Sequence, residues 1–188
     1  MQRTDDLVDV RPAARADAPA IQAIYTPVVV DSAVSFEEAP PEAAEIARRM
    51  LSQPRLPWLV ATRADVVVGC AYAAVHRTRR AYRWSVDCSV YLHEQERGRG
   101  TGRRLYQQLF IELRNLGYVE VFAGIALPND ASVGIHEAMG FVPVGVFQRV
   151  GFKHGSWRDV GWWQLGLVPP PSAPVEPRPW EPSPPRSG

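Results

Sequence analysis

Residues 84–102 read WSVDCSVYLHEQERGRGTG. Trp84, Val86, Cys88, Val90 and Leu92 alternate with Ser85, Asp87, Ser89 and Tyr91, the period-2 pattern of a strand with one core face and one polar face. Arg97-Gly98-Arg99-Gly100-Thr101-Gly102 follows, and from about Arg103 to Asn115 the spacing of Leu105, Leu109, Leu113 and Leu116 predicts an amphipathic helix with Gly117 as its stop. A glycine-rich turn between a strand and a helix aims backbone N–H groups and the positive end of the helix dipole at an anion. The turn lacks the Gly-Lys-Ser/Thr ending of a nucleoside triphosphate loop and the G-x-G-x-x-G spacing of a dinucleotide fingerprint. Asp87 stands in a β-branched and aromatic run that usually excludes aspartate. Two readings stay open: a solvated sheet face, or a carboxylate in a cleft placed to accept a proton directly or through water.

Toward the N-terminus, Val8 to Pro12 is a strand candidate, and Asp17 is placed to cap a helix carrying Ile21, Ile24 and Tyr25. Glu42 to Leu51 predicts a second helix. Trp58 to Thr62 and Val66 to Val75 form a hairpin around Arg63-Ala64-Asp65. Beyond the central helix, Val119 to Ile125 predicts a strand, Asp130 opens a helix that stops at Gly140, and Val142 to Phe147 with Trp162 to Leu167 close the fold as strands. The order β-α-α-β-β-β-α-β-α-β-β, with hairpins rather than strict alternation, implies an α+β domain on a mixed sheet.

The sequence has 188 residues and 18 prolines, and nine of those prolines fall between Pro169 and Pro185. Residues 1–168 therefore read as one domain and 169–188 as an unstructured tail. With 21 basic against 20 acidic residues the formal charge is +1, which gives no global field toward nucleic acid or an anionic membrane. Cys70 and Cys88 lie in apolar runs, which excludes a disulfide framework or a zinc cluster and fits a reducing cytoplasm. The first twenty residues have acidic groups where a signal peptide needs a basic flank, so a cytoplasmic protein is expected.

Local charge is another matter. His76-Arg77-Thr78-Arg79-Arg80-Ala81-Tyr82-Arg83 gathers four arginines just before the Asp87 strand, suited to gripping an acidic ligand by paired guanidinium hydrogen bonds. A solvated basic loop is the plain alternative, and an RNA patch a third. In LPNDASVGIHEAMGF, residues 127–141, Asn129 precedes a helix start and His136 lies on the helix. A lone helical histidine is more often structural, and no ligand set at metal spacing accompanies it.

Taken in order, the carboxylate strand, the RGRGTG turn and LPNDASVGIHEAMGF resemble the GNAT N-acetyltransferase superfamily. AYRWSVDCSVYL, LPNDASVGIHEAMGF and GFKHGSWRDVGWWQ are similar in sequence and spacing to segments of the phosphinothricin N-acetyltransferases within it. The resemblance covers about residues 8–168. It implies the GNAT fold and acetyl-CoA as cosubstrate, held at Arg97, Gly98, Arg99, Gly100, Thr101, Gly102 and Arg103, with Val90, Tyr91 and Leu92 on the adjoining strand and Asn129. It further implies acetyl transfer to the α-amine of a small amino acid such as phosphinothricin or methionine sulfoximine, without a metal. Asp87 and His136 fall at the positions of the family's catalytic glutamate and histidine, while Phe36, Arg77, Arg79, Tyr82, Ser89, Tyr91 and Val160 match positions lining the amino-acid pocket. Asp87 departs from the pattern: it is one methylene shorter than glutamate and sits about 1.5 Å further back, a gap that a water can bridge. His136 could act as base or protonate the departing thiolate, and both roles stay open. By strand alternation Cys88 points away from Asp87, so it reads as core rather than as an acyl carrier. A homodimer is the family's implication for assembly. Competing readings are a GNAT enzyme for a polyamine, an aminoglycoside or a protein N-terminus, a non-catalytic CoA-binding module, and a nucleic-acid binder that uses the arginine run.

Overall fold

The computed structural model describes residues 8–182. Seven strands form one sheet in the order β1-β2-β3-β4-β5-β7-β6: β1 (Asp9–Pro12), β2 (Trp58–Arg63), β3 (Val66–Val75), β4 (Ser85–Leu92), β5 (Glu120–Leu127), β6 (Val142–Lys153) and β7 (Ser156–Gly166). Four α-helices accompany them: α1 (Ala18–Asp31), α2 (Ala43–Arg49), α3 (Thr101–Leu116) and α4 (Asp130–Ala138). Every pairing is antiparallel except β4 with β5. The mixed α+β sheet and the order of elements are those expected.

Hydrophobic periodicity explains the layers. Leu105, Leu109 and Leu113 are fully buried and press α3 on Ala61, Ala71, Val86, Cys88 and Val121 of the sheet. On the opposite face α1 and α2 bury Ile21, Ile46 and Met50 against Trp58, Val60 and Cys70. β4 is therefore covered on both sides, and its second face is not simply polar. Tyr91 packs among Tyr25 and Tyr72, with ring centroids at 4.6 and 6.4 Å, leaving Ser85, Asp87 and Ser89 as the polar positions there. The β2–β3 turn is two residues, Ala64 and Asp65, both with positive φ, as a tight hairpin of right-handed twist requires.

Local details differ from expectation. α3 starts at Thr101 because Gly100, at φ 81°, turns the chain into the helix. Asp17 stands at the start of α1 but makes no cap bond to that helix; its carboxylate instead accepts from the Arg11 guanidinium at 2.7 and 2.8 Å and from the Ala14 N–H. The closing hairpin is longer than predicted and turns at His154-Gly155, with a bulge between Phe147 and Gly151.

The expectation of an unpacked tail fails for residues 169–182. They form no helix or strand, in keeping with their prolines, yet they lie against the domain. Val175 O accepts from Trp84 Nε1 at 2.8 Å, Glu176 bridges Arg80 and Arg83 at 2.8 and 2.7 Å, and Arg178 donates to the last carbonyls of α3, Asn115 O and Leu116 O. Trp180 is 3% exposed and enters the α3-side core. The physical reason is that a helix C-terminus leaves carbonyls without intrahelical donors and carries partial negative charge, which Arg178 satisfies, while Trp180 buries its ring and donates its indole N–H to the Glu112 side chain. The rest of the tail lies outside the described residues.

Candidate active site

Pairing between β4 and β5 stops at Asp87–Phe122, although both strands run on for several residues. Their divergence opens a gap in the sheet, walled by Cys88–Tyr91 on one side and Ala123–Ala126 on the other. Strand edges inside a gap keep backbone N–H and C=O groups without ladder partners, so they can hold an extended ligand.

On the α1 side the gap widens into a cavity of about 470 Å³ lined by Phe36, Asp87, Ser89, Val160 and Trp162 among others. Asp87 Oδ1 lies 2.6 Å from His76 Nδ1, and the His76 ring stacks on Phe122 at 4.2 Å. Burial raises the Asp87 carboxyl above its ordinary range, opposed by the His76 hydrogen bond and by the charges of His76 and Arg77. The exposed Arg77 guanidinium sits over the ring of Trp162, a cavity-lining residue, 5.3 Å from its centroid. Phe36 reaches the cavity because β6 has glycine at 151: a Cβ there would lie 2.3 Å from the Phe36 ring.

On the α3 and α4 side the same gap is lined by Tyr106, Asn129, Ser132 and His136. His136 is 4% exposed. Its Nδ1 is 2.7 Å from Ser132 O, a carbonyl that can only accept, so Nδ1 carries the proton and Nε2 accepts from the Tyr106 hydroxyl at 3.0 Å. Burial lowers the His136 pKa, against the Ser132 bond, and so favours neutral imidazole. The buried Tyr106 hydroxyl is pushed well above the usual phenol range. Asp87 and His136 thus face different openings of one gap, which share Val34, Cys88, Ser89, Gly124 and Ala126. Burial pushes the Cys88 thiol up to about 12, so a thiolate is disfavoured there.

At the start of α3, Gly98 and Gly100 have φ of 73° and 81° with open space around them, so their role is conformational. Gly102 serves a different purpose: a Cβ would lie 3.0 Å from Ile135 and 3.4 Å from Leu92. The first-turn amides of α3 lack intrahelical acceptors, and Arg97, Arg99 and Arg103 are exposed around them. These residues fit a pyrophosphate. Thr101 contributes only backbone, because its hydroxyl donates to buried Glu96 at 2.9 Å and Glu96 in turn pairs with Arg63. The side chains of Val90 and Leu92 pack on the α3-side core, so those positions also offer backbone. Asn129 caps α4, its Oδ1 accepting from Ser132 N at 3.1 Å.

Of the predicted pocket residues, Phe36, Ser89 and Val160 line the α1-side cavity, whereas Tyr91 lines the opposite opening. Arg77 is exposed and does not line the cavity; it lies over Trp162, which does. Arg79 and Tyr82 do not line the cavity: Arg79 is exposed at the head of the 3-10 turn Arg80–Tyr82, and Tyr82 meets the far edge of His76 at 6.1 Å. Sequence reasoning missed His76, Tyr106 and Trp162. His76 was legible only as part of a basic run, and Tyr106 only as a core position of α3.

The family profile of the acetyltransferase (GNAT) domain matches residues 10–162. The chain belongs to the GNAT acetyltransferase family. Among its GNAT relatives, a phosphinothricin N-acetyltransferase of Streptomyces viridochromogenes is 40% identical over 174 residues, covering 90% of this chain and 94% of the relative. An L-methionine sulfoximine/L-methionine sulfone acetyltransferase of Pseudomonas paraeruginosa is 36% identical, over 88% of this chain and 98% of the relative. In structure, a phosphinothricin acetyltransferase of Sinorhizobium meliloti in complex with acetyl-CoA superposes with a TM-score of 0.82 at 34% identity, covering 89% of this chain and 95% of the other. No group of His, Cys, Asp and Glu suited to a metal ion occurs among the described residues, and no helix there is long and apolar enough to cross a membrane.

Proposed function

We propose that this chain transfers acetyl from acetyl-CoA to the α-amine of a small amino acid whose side chain ends in a tetrahedral acidic or strongly polar group, such as phosphinothricin, methionine sulfoximine or methionine sulfone. The observation that carries the reading is the half-buried Asp87 carboxylate in the wall of an acceptor-sized cavity, at the point where β4 and β5 part. The relatives' names point to the same substrates.

In this reading the turn 97–103 and the start of α3 hold the pyrophosphate, and the free edges of Val90, Tyr91 and Leu92 hold the thioester arm in the gap, with Asn129 at its far wall. An acceptor α-amine arrives as ammonium and must lose a proton before its lone pair can attack. Asp87 accepts that proton, directly or through one water. The N–C bond then forms as the C–S bond breaks, the departing thiolate takes the Tyr106 hydroxyl proton on the other side of the gap, and the second proton that the nitrogen sheds on becoming an amide passes through water to restore Tyr106. Cys88, although in the wall of the gap, is held as the thiol by burial and takes no acetyl, so transfer is direct. Arg77 faces the acidic end of the acceptor; Phe36, Ser89 and Val160 shape the cavity, and Arg79 and Tyr82 support the loop that bears His76. The raised Asp87 carboxyl is the better base for its burial.

The deciding experiment is release of CoA thiol from acetyl-CoA with phosphinothricin, methionine sulfoximine, methionine sulfone, spermidine, an aminoglycoside and an N-terminal peptide. Turnover confined to the first three is expected. Turnover of spermidine or the peptide alone refutes the assignment.

A homodimer and a cytoplasmic location belong to the same reading. The exposed side chains Val142, Val144, Val146, Val150, Phe152 and Trp157 make an apolar surface on the β6–β7 hairpin at the sheet edge, which supports self-association. Two buried free cysteines support a reducing compartment. Light scattering of the purified protein should give twice the chain mass.

A further inference from the structure

Asp87 is set back by its short side chain, and the structure shows what stands behind it. His76, in the loop after β3, meets Asp87 Oδ1 at 2.6 Å, and a carboxylate oxygen can only accept, so His76 Nδ1 carries the hydrogen. Of the pair, His76 is the deeper: its side chain is 9% exposed, that of Asp87 29%, and only Asp87 lines the cavity. The imidazole is held on three sides. It stacks on Phe122 with planes 15° apart, meets Trp162 edge-on at 5.8 Å and meets Tyr82 edge-on at 6.1 Å. Phe122 is also the β5 partner of Asp87, at the last rung before the strands part. A ring locked against that rung fixes the carboxylate at the mouth of the gap.

We propose that His76 is the positioning residue of Asp87: its Nδ1–H holds Oδ1 and thereby presents Oδ2 to the acceptor amine. The inference rests on the N-acetyltransferase reading above and adds to it the group that makes a short carboxylate usable. A carboxylate free to rotate on one side-chain carbon would divide its time among rotamers, whereas one anchored oxygen leaves the other with a single direction. The anchoring bond also favours the ionised form against burial, so the carboxylate is available as a base. The other groups facing the pair are Arg77, whose charge acts in the same sense, and the uncharged Ser89 and Trp162 of β4 and β7. On the face of β5 shared with Phe122 lies Glu120, engaged by Gln164 at 3.0 Å.

The test uses the full chain with two variants. His76→Phe keeps the stacked ring and loses the donor; His76→Asn places an amide N–H near the position of Nδ1 and cannot titrate. For His76→Phe, kcat with the acceptor should fall about tenfold or more. KM for acetyl-CoA should stay within about twofold, and the acid limb of kcat/KM should move to higher pH, because only burial and Arg77 then act on Asp87. His76→Asn should recover most of kcat, and His76→Phe should add nothing in an Asp87→Asn background. Wild-type rate and pH profile in His76→Phe overturn the proposal, as does a loss that His76→Asn fails to recover. A readout without turnover separates this from the choice of acceptor. The nitrogen-15 spectrum of the His76 ring should show a protonated Nδ1 whose proton resonance lies far downfield and moves back upfield in Asp87→Asn. A ring protonated at Nε2 alone overturns the proposal even if the enzyme acetylates every amine offered. If no amine is turned over while the Nδ1–H signal is present, the acetyltransferase reading is at fault and the pairing stands.

Discussion

Replacing Trp180 with alanine measures whether the proline-rich segment belongs to the fold. The indole is 3% exposed, packs with the α3-side core, and donates Nε1–H to Glu112 at 3.3 Å, while Arg55 lies 5.8 Å from its centroid. Deleting a buried tryptophan side chain removes about 3–5 kcal/mol. The segment that bears it has no ladder or helix bonds of its own and can relax into the vacated space, which favours the lower figure of about 3 kcal/mol. Its exposed neighbour Glu176 adds little, since surface ion pairs contribute about 0–1 kcal/mol. For a domain of this size about 3 kcal/mol lowers Tm by about 6–12 °C. Thermal unfolding followed by circular dichroism reads the shift, and protease sensitivity after Val168 should rise in parallel. A variant that melts within about 1 °C of wild type would refute the docking and restore the free tail.

Lys153, the sole lysine of the sequence, donates to Val29 O, Ser35 O and Glu37 O at 2.6, 2.6 and 2.9 Å and so ties down the loop that carries Phe36. Lys153→Met should cost about 3 kcal/mol in urea unfolding and raise KM for the acceptor more than KM for acetyl-CoA. Gly100→Ala meets no steric obstacle, but its φ of 81° costs a side-chain residue about 1–2 kcal/mol; KM for acetyl-CoA should rise about five- to tenfold by titration with the acceptor KM unchanged. Asp87→Asn should abolish most turnover yet raise Tm at neutral pH. The folded carboxyl pKa is raised, so the folded state binds the proton more tightly than the unfolded chain, and stability falls as pH climbs from the ordinary carboxyl range through the folded value. His136 works in the opposite window: its folded pKa is lowered, so stability is full above the ordinary imidazole range and declines as pH falls through it toward the folded value, a slope that His136→Phe should flatten.

The pattern of what the sequence disclosed has a physical basis. Periodicities of two and of three to four residues report burial, and they located all seven strands and four helices to within a few residues, apart from the closing hairpin, where β6 is exposed nearly throughout and its full length is not set by a buried face. Glycines announced the turn into α3, because only a backbone with positive φ makes that corner. Composition failed on the tail. Proline content excludes a hydrogen-bonded ladder, but it does not say whether a tryptophan about four polyproline turns beyond Val168 will find a place in the core. Pairing across space was also hidden. Nothing in HRTRRAYR separates His76 from its arginines, and only the antiparallel register of β3 on β4, which sets Ala74 opposite Asp87 and Val75 opposite Val86, brings the next loop residue onto the carboxylate. The same register sends Arg80 and Arg83 outward to Glu176, so the basic run divides between Trp162, beside the cavity, and the strap. A cluster that reads as one charge patch in the sequence is thus two structures, and substituting Arg77 should disturb acceptor affinity where substituting Arg80 disturbs the docking of the C-terminal segment.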